Sequence, residues 1–259
     1  MEHLQKKFEI IFSIRLLFLI LTSTVFFFYF IDIPLFKFTR SMHGLLFDFF
    51  NKIVDPFSDI VDPGNIILLS GIVWLIIRSI KNILKEPKKQ MILCEKLGFK
   101  KAFIIETMEY YLLIIKHIFL SIIVSGIILH VLKYILGVSR PKYFFLEGYV
   151  RQSFFNLEHR VNSLPSGHTQ AAFTIAVLFI LYVNRYNGLI IAIACLLGIS
   201  RIFMNAHFPS DLILGAYIGS FFPVILYKIY FLEKFRKLKK EKIFHFKIFL
   251  KLLYLRLML

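Results

Sequence analysis

Ser200-Arg201-Ile202-Phe203-Met204-Asn205-Ala206-His207-Phe208-Pro209-Ser210-Asp211 separates two apolar runs, Leu189 to about Phe203 and about Pro209 to Tyr230. Each run approaches the roughly 20 apolar residues that carry a helix across a bilayer. Pro209 suits the start of the second helix, because the first turn has no use for its missing N–H. An Arg, a His and an Asp at such a membrane edge are costly unless they serve a site. The stretch reads as a turn between two membrane helices with ionisable groups at its mouth.

The rest of the chain repeats that pattern. Of its 259 residues 58% are hydrophobic, 31 of them Phe, and the mean hydropathy is +0.72. A soluble domain of this size could not hide so much apolar surface. Further spans are expected over Ile10 to Ile31, Asn65 to Ile80, Met108 to Leu132, and from Pro165 to about Val183. The expected fold is all-α, a polytopic membrane protein with six transmembrane helices in residues 1–232. Residues 233–259 form a basic tail, read as an amphipathic helix on an anionic leaflet. Leu45 to Phe50, within a charged 32–63 segment, suggests a short helix lying at the interface. The charged start at Lys6 and Lys7 resembles that of a signal peptide, but the apolar run is long for one and no A-x-A-like site follows, so it is read as a retained span.

The net charge of +16 does not argue for nucleic acid, because the basic residues flank apolar runs instead of forming one face. By the positive-inside rule they give an orientation. The N-terminal segment, the 81–101 loop, the 184–188 turn and the tail hold three, seven, one and nine Lys or Arg. The 32–63 and 133–165 loops hold three and five, plus Arg201. Both termini are therefore expected in the cytoplasm. Cys94 and Cys195 fit neither a disulfide nor a metal site.

On this topology Lys133 and Arg140, Pro165-Ser166-Gly167-His168, and Arg201 with His207 and Asp211 all emerge on the non-cytoplasmic face. Lys133, Arg140 and Arg201 are cations, and Asp211 is the only carboxylate within these motifs, so the group is expected to want an anion. Arginine forks match phosphate oxygens and lysine adds a point charge. Ser166 and Gly167 at a helix start offer backbone N–H groups and the positive end of the dipole. His207, four residues from Asp211, has a carboxylate to orient its ring, and His168 comes from another helix to protonate a leaving oxygen. No Cys, His or Asp cluster has metal spacing, so neither a metal nor another cofactor is expected.

Lys133-x6-Arg140-Pro141, Pro165-Ser166-Gly167-His168 and Ser200-Arg201-x5-His207-x3-Asp211 resemble the three-part signature of the type 2 phosphatidic acid phosphatase superfamily, which includes vanadium haloperoxidases and glucose-6-phosphatase-like enzymes. The resemblance spans residues 133–211 with no departure at a signature position. It implies a six-span core and metal-independent hydrolysis of a phosphomonoester or diphosphate. His207 would form a phosphohistidine, held by Asp211; His168 would protonate the leaving group. Lys133, Arg140, Ser166, Gly167 and Arg201 would bind the phosphoryl oxygens.

The expected protein is a lipid phosphatase of a bacterial cytoplasmic membrane. Its candidate substrates are undecaprenyl diphosphate, phosphatidate or phosphatidylglycerophosphate, and a lipid A phosphate. Lys142, Arg151 and Arg160 are candidates for contact with a large or multiply charged head group. The alternative is a non-catalytic phospholipid or anion transporter or binder using the same cradle, which would need polar residues deep in several spans. A haloperoxidase fits a membrane chain poorly.

Overall fold

The computed structural model describes residues 8–42, 44–238 and 246–258, and among these the regular structure is helical, with one isolated bridge between Val138 and Gln152. The main helices are α1 (Ile14–Ser41), α2 (Pro63–Ile83), α3 (Pro87–Leu97), α4 (Lys101–Leu136), α5 (Gly167–Tyr182), α6 (Asn187–Phe203), α7 (Pro209–Leu238) and α8 (Phe246–Met258). Four of them, α1, α2, α4 and α7, are long and apolar enough to cross a membrane, while α5 and α6 are apolar but shorter. The chain is a helical membrane protein.

Two sequence boundaries move. The first apolar run does not stop at Ile31. It passes through a π-turn, Phe27–Ile31, and continues as α-helix from Asp32 to Ser41. Pro34 lies in the first turn after that π-turn and has no N–H for the carbonyl four residues back, so a wider turn just upstream suits the local geometry. The same pairing recurs where the π-turn Phe50–Val54 precedes Asp55–Ile60 with Pro56 near its start. The short helix expected over Leu45 to Phe50 corresponds to Gly44–Phe49, and helical structure continues beyond it to Ile60. The basic 81–101 stretch is also more ordered than a loop. It contains α3, ended by Gly98 at φ +72, whose N–H reaches the Cys94 and Glu95 carbonyls in the left-handed cap that glycine favours.

The described chain forms two compact units, residues 1–66 with 121–225, and residues 67–120 with 226–259. In the second, Leu93, Leu97, Ile104 and Met108 share a core with Phe249 and Leu252 of α8. Phe249 stacks on Tyr111 at 4.2 Å. The expected tail helix is present from Phe246 with one apolar side on this core; positions 239–245 and 259 of the tail lie outside the described residues.

In the first unit, α5 and α6 meet through Ala172, Ala176, Ala194 and Leu197. Small residues let helix backbones approach where lipid tails supply no hydrophobic drive between helices. Two glycines of α7 mark close approaches: a Cβ at Gly219 would lie 2.2 Å from the Gln170 carbonyl oxygen, and one at Gly215 2.6 Å from the Ser166 carbonyl oxygen. Gln170 donates to Ser125 at 2.6 Å and Thr174 at 3.0 Å, and Thr174 donates to the Gly219 carbonyl at 3.1 Å. These contacts pin the start of α5 against α4 and α7, and so fix what the helix ends carry.

Candidate active site

The residues singled out in the sequence come from four places in the first unit. Lys133 sits in the last turn of α4, and Arg140 caps the short helix Pro141–Leu146. Ser166, Gly167 and His168 open α5. Arg201 closes α6, and His207 and Asp211 flank the start of α7. They converge: His207 is buried among the charges of Lys133, Arg140, Arg201 and His168.

His207 and Asp211 form a held pair. The His207 Nδ1 lies 3.2 Å from Asp211 Oδ2, and the same oxygen accepts from the Ser163 hydroxyl at 2.5 Å and the Phe208 N–H at 2.8 Å. A carboxylate only accepts, so this contact places the imidazole proton on Nδ1 and leaves the Nε2 lone pair free. Burial pushes the His207 pKa well below its ordinary 6.5, and the surrounding cations push it the same way. At neutral pH the ring is a neutral base with one nitrogen oriented and the other available.

The cations are held differently from one another. The Lys133 ammonium donates to the Asn162 carbonyl, and to that of Ser163 at 3.4 Å. Arg140 donates twice to the Asn162 side-chain oxygen, from Nε at 3.0 Å and Nη2 at 2.9 Å. Neutral oxygens aim both groups without cancelling their charge. Arg201 instead meets Asp55 at 2.6 Å. Burial raises the Asp55 pKa and Arg201 opposes that. Asp211 is the only carboxylate within the three motifs, but Asp55 brings a second to Arg201 from a segment distant in sequence. His168 also has acidic neighbours, with Nε2 at 3.6 Å from Asp62 and 3.8 Å from Asp59.

Ser166 departs from its expected part. Its hydroxyl accepts from the Thr169 hydroxyl at 2.9 Å and the Thr169 N–H at 3.4 Å, and its own N–H goes to the Asp211 carbonyl at 3.0 Å. It is an N-cap that ties α5 to α7. Gly167 is different: beyond its own helix and chain neighbours a Cβ there would meet nothing within 4 Å, so the start of α5 is open on that side. Sequence reasoning also missed Asn162 and Ser163, which gave no signal of their own beyond lying just before Pro165.

Arg151 and Arg160 both have carboxylate partners within the protein. Arg160 lies against Glu147 at 3.3 Å and Glu158 at 3.7 Å. Arg151 turns inward to Asp32 of α1, a fully buried carboxylate. Asp32 also accepts from the Ser210 N–H at 2.9 Å and the Ser210 hydroxyl at 2.6 Å.

A buried, oriented imidazole ringed by three cations defines a class of site for phosphoryl oxyanions. Residues 115–235 match the family model described as the PAP2 superfamily. That window contains every candidate site residue, and over it the chain is similar to this superfamily. The chain is similar to the lipid A 1-phosphatase of Rhizobium johnstonii, 32% identical over 109 residues, 42% of this chain and 45% of that protein. The lipid A 1-phosphatase of Porphyromonas gingivalis is 47% identical over 62 residues, covering 22% and 14%. The bacitracin transport permease protein of Bacillus licheniformis is 39% identical over 64 residues, covering 24% and 32%. The chain thus spans about half the length, or less, of the curated relatives it matches. No solved structure matches it.

Proposed function

We infer that this chain is a membrane lipid phosphatase working through a phosphohistidine. The carrying observation is the neutral His207 ring, fixed by Asp211 at 3.2 Å and surrounded by Lys133, Arg140 and Arg201. In the proposed reaction His207 Nε2 attacks phosphorus, the bond to the leaving oxygen breaks, and His168 gives that oxygen its proton. Water then attacks the phosphohistidine, His168 takes the water proton, and phosphate leaves with His207 restored. Lys133, Arg140, Arg201 and the open start of α5 at Gly167 stabilise charge on the equatorial oxygens, supplying from the chain itself the electrophilic assistance that a metal would otherwise give. The first test is His207→Ala in detergent with a lipid phosphate as substrate: phosphate release and labelled phosphoenzyme should both vanish. Retained turnover would sink the mechanism. Undiminished turnover in EDTA is expected; loss that Mg²⁺ restores counts against the metal-independent reading.

The proposed core has six spans in residues 1–232, with α5 and α6 crossing as well as the four longer helices. Both termini lie in the cytoplasm of a bacterial inner membrane and the site faces outward, as the Lys and Arg distribution implies. The 233–259 tail lies toward the cytoplasmic leaflet, where exposed Lys247 and Lys251 of α8 meet anionic lipid. A cysteine at Glu147 should react with an impermeant maleimide in spheroplasts, and one at Lys89 only after lysis; the reverse pattern rejects the orientation. Among the candidate lipids, the names of the Rhizobium and Porphyromonas relatives favour a lipid A phosphate. A panel of lipid phosphates ranked by kcat/KM tests this, and preference for undecaprenyl diphosphate would reject it.

The Bacillus relative's name supports a second reading, a non-catalytic transporter. The polar side chains deep between the helices weaken it, because Gln170, Ser125 and Thr174 bond one another and offer no open polar path. Lipid flux in vesicles without phosphate release would favour that reading.

A further inference from the structure

Asp32 stands out among the charges not used so far. It lies inside the first long apolar helix, has no exposed surface, and its partners are 119 and 178 residues away. An ionised group in such a place is costly and marks function more often than architecture. Its two oxygens are fully engaged, by the Ser210 N–H and hydroxyl and by the Arg151 guanidinium. Arg151 in turn lies over the ring of Phe208 at 3.7 Å and that of Phe28 at 4.4 Å. Its Nε and Nη1 are buried without hydrogen-bond partners among the described residues; the aromatic faces take that side of the cation.

The placement is specific. Phe208 follows His207 and Ser210 precedes Asp211. Asp32 and Arg151 therefore grip the turn at the residue after the attacking imidazole and the residue before its orienting carboxylate. The grip extends to the cation side, since the Arg151 carbonyl accepts from the Ser139 N–H at 3.1 Å, next to Arg140. Among the described residues no hydrogen bond or ion pair joins Asp32 or Arg151 to His207. They act on the backbone that aims the catalytic pair.

We propose that Asp32 and Arg151, through Ser210 and Phe208, are a positioning pair by which the first membrane helix holds the His207–Asp211 turn in its attacking geometry. The inference rests on the phosphatase reading and deepens it. Misplacing a reacting group by about 1 Å costs around 100-fold in rate, whereas phosphate binding by Lys133, Arg140 and Arg201 is left alone.

The test uses Ser210→Ala and Asp32→Asn in the full chain, with Ser210→Thr as the conservative rescue and His207→Ala as the control. Rates are expressed per active site, counted from phosphoenzyme formed in a single turnover. Both first variants should lose about 10–100-fold in kcat. KM for the lipid and inhibition by inorganic phosphate should stay within about twofold, and Ser210→Thr should recover most of the rate. A kcat per active site equal to wild type in both variants overturns the proposal, because the pair then supports only folding. A change confined to KM or phosphate inhibition also overturns it. If His207→Ala itself turns over, the underlying mechanism has failed, whatever the two positioning variants do.

Discussion

Asp211→Asn isolates what the carboxylate charge contributes to the reaction. Asn keeps the size of Asp, and its side-chain oxygen can still accept from Phe208 N–H and Ser163, which reach Asp211 at 2.8 and 2.5 Å. What it loses is the negative charge 3.2 Å from His207 Nδ1. That charge matters little to the neutral ring before reaction and a great deal once phosphorus is attached and the ring becomes cationic. Two unit charges about 4 Å apart interact by about 4 kcal/mol at an effective dielectric near 20. If the ground state gains almost none of this, the loss falls on the barrier, about 1,000-fold in kcat. KM should change little, since the phosphate cations keep their own partners, Asn162 for Lys133 and Arg140, and Asp55 for Arg201. The assay is steady-state phosphate release from a short-chain lipid phosphate in detergent, paired with thermal unfolding. A folded Asp211→Asn enzyme with kcat within tenfold of wild type refutes the reasoning. So does a loss expressed mainly in KM.

Asn162→Ala removes the acceptor that aims Arg140, worth about 1.5–3 kcal/mol for a hydrogen bond to a charged group; KM for the lipid and the inhibition constant for inorganic phosphate should both rise about tenfold or more, and unchanged values would contradict the cradle. Gly215→Ala forces a methyl against the Ser166 carbonyl, 2.6 Å away, and overpacking of this kind costs about 1–3 kcal/mol; a lower melting temperature with reduced kcat is expected, and a fully stable, active variant would show that α5 and α7 can separate freely. The acid limb of kcat/KM should lie below pH 6.5, because burial and neighbouring cations depress the His207 pKa and the ring protonates only further down. The same shift makes stability fall as pH drops through 6.5, where an unfolded His would already bind a proton. A limb at or above 6.5 in a pH–rate series would remove His207 as the neutral nucleophile.

The parts of this molecule that were legible in sequence are those whose signal is local. Apolar runs mark the helices, and the spacing from Arg201 through His207 to Asp211 lies within one turn between them. Lys133, Arg140 and the α5 start were recognisable as chemistry because each stands at a helix edge. Asp32 was not, for it closes an apolar run and looks like a boundary until α1 is seen to continue through Pro34 to Ser41. Arg151 read as a candidate head-group contact and Asp55 as a loop charge, since nothing in their neighbours names partners more than a hundred residues away. Ser166 was legible as a helix start but not as a tie to Asp211. That distinction depends on where a third helix packs.

α5 and α6 have 16 and 17 residues, about 24 and 25 Å at about 1.5 Å per residue. A bilayer's hydrocarbon layer is about 30 Å thick. Under the proposed topology, with His168 at one end of the first and Arg201 at the end of the second, two of the site's walls would stop several ångströms short of the membrane surface. Such a mismatch draws the surrounding leaflet inward. On the proposed function, a lipid's phosphate would then reach the depth of the site by local thinning, without its chains being lifted out of the bilayer. The rate in vesicles should accordingly be higher in short-chain phosphatidylcholine than in long-chain; a rate indifferent to thickness would mean that the lipid climbs to the site instead.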